Sequence, residues 1–198
     1  MLFWLIIIFL ALYIFGLYRL AYYFCQKGKK MLYQPKQPVN SFLKRIYIIC
    51  PVRELTEEEK IKILDYAFQK EKEGYIVRCP FRDTNQNDEI GLRIVEEHEK
   101  DILWADEIHI FWNSQSQGSL WDFAQARMAR YFQPEKKFVL INLEQLEVTE
   151  GKSYQNVLLA TCFGLDSNAK LEDLKKLIEV KKSVKAFLNY CRSFFWIN

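Results

Sequence analysis

From Arg45 onward, short apolar runs alternate with longer amphipathic ones, and this alternation limits the fold more than any other feature. RIYIIC (45–50), YIVRC (75–79), EIHIFW (107–112) and KFVLINL (137–143) are rich in β-branched and aromatic residues, which reads as four buried strands. Between them lie segments with helical signals. Thr56, with Glu59 three residues on, forms a capping box; Ile61, Leu64, Tyr66, Ala67 and Phe68 mark the inner side of that helix, and Gly74 ends it. LRIVEEHEKDILWA carries Leu92, Val95, Ile102 and Leu103 at helical spacing, and residues 119–131 form a third helix after the loop NSQSQG. PFRDTNQNDEIG (80–91) reads as a long polar loop, and two further helices are expected near 154–161 and 170–195.

Apolar strands alternating with helices imply an α/β domain whose parallel sheet is covered on both faces. Right-handed crossovers favour strand order 2-1-3-4, a flavodoxin-like (Rossmann-like) arrangement. Ligands in such sheets bind beyond the carboxyl ends of the strands. That rule selects loops 50–54, 79–91 and 112–119 as one site.

Residues 1–25 differ in kind from this domain. MLFWLIIIFLALYIFGLYRLAYYFC carries one charge, Arg19, near one end. A helix of about 23 residues spans roughly 34 Å, enough for a hydrocarbon core of about 30 Å. Trp4 and the Tyr18, Tyr22, Tyr23 group sit where interfacial aromatics belong. A secretory signal would need a basic start and a small-residue cleavage site, and neither is evident. The run is therefore read as a transmembrane helix contacting the lipid bilayer, followed by a basic linker (26–44) with Pro35, Pro38 and several lysines. No Asp or Glu precedes Glu54. This basic flank predicts a single-pass membrane protein with its C-terminal domain in the cytoplasm.

The cysteines agree with a reducing compartment: five, widely spaced, with no CxxC pair. Cys25 lies beside the apolar run and is either an acylation site or an idle thiol. The net charge of +3 is too small to argue for nucleic acid. With two histidines, His98 and His109, a metal site would have to be built from carboxylates, and none is expected.

The most informative loop is NSQSQGSLWD. Gly118 lets the backbone approach a ligand, Ser119 reads as the helix N-cap, and the helix N-terminus favours an anion. Asp122 then completes a short-armed capping box. The same carboxylate could instead attack an anomeric carbon, stabilise an oxocarbenium-like centre, or orient a ligand hydroxyl. Arg53 and Arg82 could hold a phosphate in bidentate fashion, or either arginine could instead pair with Asp83 or Asp88 at the loop rim. Asn85 and Gln86 could read a base edge.

RIYIICP, ADEIHIFW and GSLWDFAQA, in this order and spacing, resemble the nucleoside 2-deoxyribosyltransferase family, and PFRDTNQND resembles its uncharacterised relatives. The resemblance runs from about residue 45 to 143, within a domain bounded at 45–150. It implies a flavodoxin-like homo-oligomer that cleaves or exchanges the N-glycosidic bond of a nucleoside or nucleotide without metal or organic cofactor. Asp122 falls on the catalytic glutamate of the Gly-Ser-x-x-Glu motif, Gly118 and Ser119 on its start, and Pro51 on the proline after the first strand. His98 falls where transferases often carry a site Asp and many relatives an Asn, and Ser116 where some transferases carry another Asp. Asp is one methylene shorter than Glu, so its carboxylate is displaced by about 1 Å, a shift that can cost about 10²-fold in rate. Hydrolysis, a different nucleotide substrate, or a membrane-tethered ligand sensor without turnover all remain open.

His109 reads as a packed strand residue, and His98 as a solvated helix residue unless it belongs to the site. Trp104, Trp112 and Trp121 flank the site, with core packing expected for at least two. The extension 151–198 carries Leu171, Leu174, Ile178, Val184, Phe187, Leu188 and Cys191 broadly on one side. It is expected to pack on the domain or form a dimer contact, with a membrane-resting role for its aromatic end as the alternative.

Overall fold

The structure, a computed structural model, describes residues 43–53 and 55–195, with side chains to residue 186. The apolar run 1–25 and nearly all of the linker lie outside the described residues. Among the described residues no helix is long and apolar enough to cross a membrane.

Four strands, β1 (Arg45–Ile49), β2 (Ile76–Arg78), β3 (Glu107–Ile110) and β4 (Lys137–Leu140), form one parallel sheet in the order β2-β1-β3-β4. This is the order expected from the crossover rule. The helices are α1 (Glu57–Lys72), the single turn α2 (Pro80–Asp83), α3 (Leu92–Trp104), α4 (Gln117–Ala129), α5 (Tyr154–Cys162) and α6 (Leu171–Phe195). Central β1 is fully buried from Ile46 to Ile49, as a strand covered on both faces must be.

Strand alternation divides the core into two. Tyr47, Ile49, Ile108 and Ile110 face Ile102 of α3, Phe123 and Ala126 of α4, Leu158 and Leu159 of α5, and Leu174 and Ile178 of α6. Ile46, Ile48 and Val77 face Ile63 and Ala67 of α1. Each fully buried aliphatic side chain contributes about 1.5–3 kcal/mol of transfer free energy.

The expected capping box is present: the Thr56 hydroxyl accepts from Glu59 N–H at 3.2 Å, and the Glu59 carboxylate accepts from Thr56 N–H at 2.9 Å. The inner side of α1 matches the expected one only in part: Tyr66 and Ala67 face the core as expected, and Ile63 joins them. Ile63 and Ala67 are buried with Tyr66 beside them, while Ile61, Leu64 and Phe68 are exposed. The helix carries two apolar stripes, and the sheet takes the one with Ile63, Tyr66 and Ala67. Leu92 is likewise exposed, and His98 with Ile102 forms the inward stripe of α3. PFRD is a helical turn with Pro80 at its first position, not loop.

The two C-terminal helices fall where expected. In α6, Leu174 and Ile178 are buried in the main core, whereas Val184 is half exposed. The first half of this helix therefore packs on the domain. Phe187, Leu188 and Cys191 lie outside the described side chains.

Candidate functional site

Asp122 is set by the start of α4. Ser116, not Ser119, is the N-cap: its hydroxyl accepts from Ser119 N–H at 3.3 Å. Ser119 is thus the third helical residue, and its own hydroxyl donates to Ser116 Oγ at 3.2 Å. Both serines are buried. Asp122 consequently lies one turn further in than a capping carboxylate could, and the capping-box reading is corrected. Gly118 has ordinary helical backbone, and an added Cβ would meet nothing within 4 Å, so nothing in the chain itself requires glycine there.

Asp122, Phe123, Ala126 and Ala129 form the inward stripe of α4, so the carboxylate enters the core between β1 and α3. There it meets two partners. The Tyr47 hydroxyl donates to Asp122 Oδ2 at 3.1 Å. His98 Nδ1 lies 3.1 Å from Oδ2 and 3.4 Å from Oδ1. The Tyr47 and His98 rings are 5.9 Å apart. Burial, and then the adjacent Asp122 charge, push the Tyr47 phenol well above its usual value, so it acts as a donor. His98 is 8% exposed, not solvated as its charged helix suggests, and its Nε2 has no hydrogen-bond partner among the described residues. Sequence reasoning missed Tyr47. Its one signal was a polar-tipped aromatic in an otherwise aliphatic strand.

The loop after β2 serves the fold. The Arg82 guanidinium pairs with Asp83 at 2.9 and 3.0 Å, with Glu71 of α1 at 2.9 Å, and donates to Val77 O at 2.9 Å. Its ion pair with Asp83, ahead of that with Glu71, raises its pKa further above the usual arginine value. Asp83 also accepts from Cys79 N–H at 2.8 Å, closing the turn. Arg82 and Asp83 are therefore a clasp between this turn and α1. Asn85 is exposed, and its side-chain oxygen accepts from Asn87 N–H at 2.9 Å. Asp88 accepts from Arg93 N–H at 2.8 Å, tying the loop to the first turn of α3. Pro51 is buried at the end of β1, and Arg53 beside it is exposed without an ion pair among the described residues.

On the opposite face of the sheet, His109 is the packed strand residue expected: Tyr66 Oη lies 2.7 Å from Nδ1, and Glu107 Oε2 lies 3.1 Å from Nε2. Trp112 is buried and Trp104 stacks under Arg45 at 5.5 Å, while Trp121 is 56% exposed on the outer face of α4. Trp121, Met128, Tyr131 and Tyr154 line a shallow groove of about 470 Å³ between α4 and α5. No group of three His, Cys, Asp or Glu side chains among the described residues could hold a metal.

No protein-family model matches the chain, and no curated protein matches its sequence. The functional reading therefore rests on the residues and their geometry.

Proposed function

We propose that this flavodoxin-like domain acts on the N-glycosidic bond of a nucleoside or nucleotide, by hydrolysis or transfer, with Asp122 as nucleophile or charge stabiliser. One observation carries the reading: a buried carboxylate within 3.1 Å of both Tyr47 Oη and His98 Nδ1, held by side chains from β1 and α3 rather than by its own helix end. A well-packed apolar cluster in that place is commonly as stable as a buried polar one, or more so. Buried titratable groups with specific partners cluster at functional sites. The resemblance of GSLWDFAQA to the transferase motif supports the same residue.

If the substrate carries a phosphate, Arg53 is its arginine, because Arg82 is committed to Asp83 and Glu71. The test is release of free base when the full chain is incubated with a panel of nucleosides, nucleotides and NAD. No product from folded protein would sink the proposal, and Asp122→Ala should abolish any activity found.

The second reading is a nucleotide-type sensor that binds without turnover. It is favoured by the engagement of both Asp122 oxygens within the protein. Saturable binding of a panel member with no base released would decide for it.

Two further parts belong to the proposal. Residues 1–25 anchor the chain in a bilayer, so it should resist carbonate extraction from membranes. The chain also self-associates through the outer face of α4 and α5. Trp121, Met128, Tyr131 and Tyr154 are each more than half exposed there. With aromatics covering roughly 150–250 Å² each, they present on the order of 500 Å² of apolar side chain, most of the roughly 800 Å² one partner contributes to a stable interface. Trp121→Glu should dissociate the assembly in sedimentation; an unchanged oligomer would place the contact elsewhere.

A further inference from the structure

We propose that the outward face of the second half of α6 is a membrane-binding surface, which rests on an anionic lipid bilayer. This face is separate from the buried carboxylate and does not depend on the glycosidic reading.

The helix carries two apolar stripes. Leu174 and Ile178 are buried in the main core, and further along Lys185 donates to Ile141 O at 3.3 Å and pairs with Glu144 at 2.5 Å. Those contacts fix which side of α6 meets the domain. Leu177, Val180 and Val184 recur at intervals of three and four residues, which at about 100° per residue puts them on one stripe turned away from that side. Leu177 is half-buried, while Val180 is 58% and Val184 50% exposed. The sequence keeps the same spacing at Phe187, Cys191 and Phe194, within the same helix.

Two lysines border the stripe, Lys176 on one side and Lys181 on the other. Both are exposed, and neither forms an ion pair among the described residues, whereas Lys175 and Lys185 are paired with Glu150 and Glu144. The acid within this stretch, Glu179, projects from the far side. Asp173 lies one turn before Leu177 and accepts from Lys170 N–H at 3.0 Å, so it belongs to the helix start.

An apolar stripe bordered by lysines suits the headgroup region of a bilayer. The apolar side chains enter the acyl boundary, and the lysine stems reach back to the phosphates. A second copy of α6 fits less well. In a parallel coiled coil Leu177 and Val184 would take a positions and Val180 a d position. Lys176 would then stand at g and Lys181 at e, where like charges meet across the pair. Three aliphatic side chains also fall well short of the roughly 800 Å² that one partner contributes to a stable interface. Anionic lipid supplies the missing opposite charge, and each lysine near such a surface strengthens binding about fivefold.

The test uses the full chain, incorporated into phosphatidylcholine vesicles with or without phosphatidylserine and carrying a photocrosslinker at one position. With Val184→benzoylphenylalanine, irradiation should give a lipid adduct, read by mass spectrometry, in the vesicles that contain phosphatidylserine. Adding Lys176→Gln and Lys181→Gln should weaken docking roughly 25-fold and remove most of that adduct. Salt at about 1 M, which shortens the Debye length to about 3 Å, should do the same. Glu179→benzoylphenylalanine, on the far side of the helix, should give little lipid adduct. A crosslinked dimer through position 184 in place of a lipid adduct, or no adduct at all, overturns the proposal. So do equal lipid adducts at 179 and 184, or a yield at 184 indifferent to phosphatidylserine and to both lysines. None of these outcomes bears on base release, so the glycosidic reading stands or falls by its own assay.

Discussion

Tyr47→Phe tests the reasoning about the buried carboxylate most directly. The substitution keeps the ring in its fully buried place on β1 and removes a single donor, the hydroxyl 3.1 Å from Asp122 Oδ2. A hydrogen bond to a charged group contributes about 1.5–3 kcal/mol, and this one is longer than the usual O–H···O separation of about 2.7–2.8 Å, so the lower part of that range applies. The expected loss is about 1.5–2 kcal/mol, or roughly 3–8 °C in Tm for a domain of this size. Urea denaturation of the full chain followed by tryptophan fluorescence measures it. In an Asp122→Ala background the same substitution should cost almost nothing, because the hydroxyl has already lost its acceptor. The coupling in the double-mutant cycle should therefore equal the hydrogen bond. A loss below about 0.5 kcal/mol, or the same loss in both backgrounds, would mean that Tyr47 does not hold Asp122.

Lys136 is buried and donates to the C-terminal carbonyls of α3, Ile102 O at 2.8 Å and Ala105 O. Lys136→Met should cost about 1–3 kcal/mol by leaving those acceptors unpaired. Burial pushes its pKa down to about 8, so the folded state sheds a proton that the unfolded chain keeps up to its ordinary value. Stability measured against Lys136→Met should therefore rise from pH 8 toward 10.5. Burial also lowers the pKa of His109. Its contribution is complete above about pH 6.5 and is lost as pH falls, by up to about 1.4 kcal/mol per pH unit, a slope that His109→Gln should remove in acid titrations of stability. Arg53→Ala should raise KM for a phosphorylated substrate by about 10- to 100-fold over its unphosphorylated analogue. Arg82→Ala should leave that ratio unchanged and lower stability by no more than about 1 kcal/mol, since its ion pairs are partly exposed.

Local patterns carried a good deal of this fold. The β-branched runs, the Thr56–Glu59 box and the crossover rule together specified four parallel strands in the order β2-β1-β3-β4. The two C-terminal helices were legible for the same reason: their boundaries depend on residues within a few positions of each other. His109 could be read as a packed residue because strand alternation alone puts it on a buried face.

The site was legible as a set of loops and as one residue, Asp122, but not as an arrangement. Spacing suggested a cap at Ser119, and a three-residue difference in where α4 starts moved Asp122 from a helix end into the core. Which stripe of α1 faces the sheet, and whether Arg82 is free or clasped to Glu71, depend on how whole elements dock. By itself the sequence determined the elements, their order and the presence of a carboxylate near the strand ends, all set by short-range periodicity. The tertiary structure decided what that carboxylate touches, because Tyr47 is 75 residues from Asp122 and His98 is 24. No pattern along the chain records a contact made by packing a strand and two helices together.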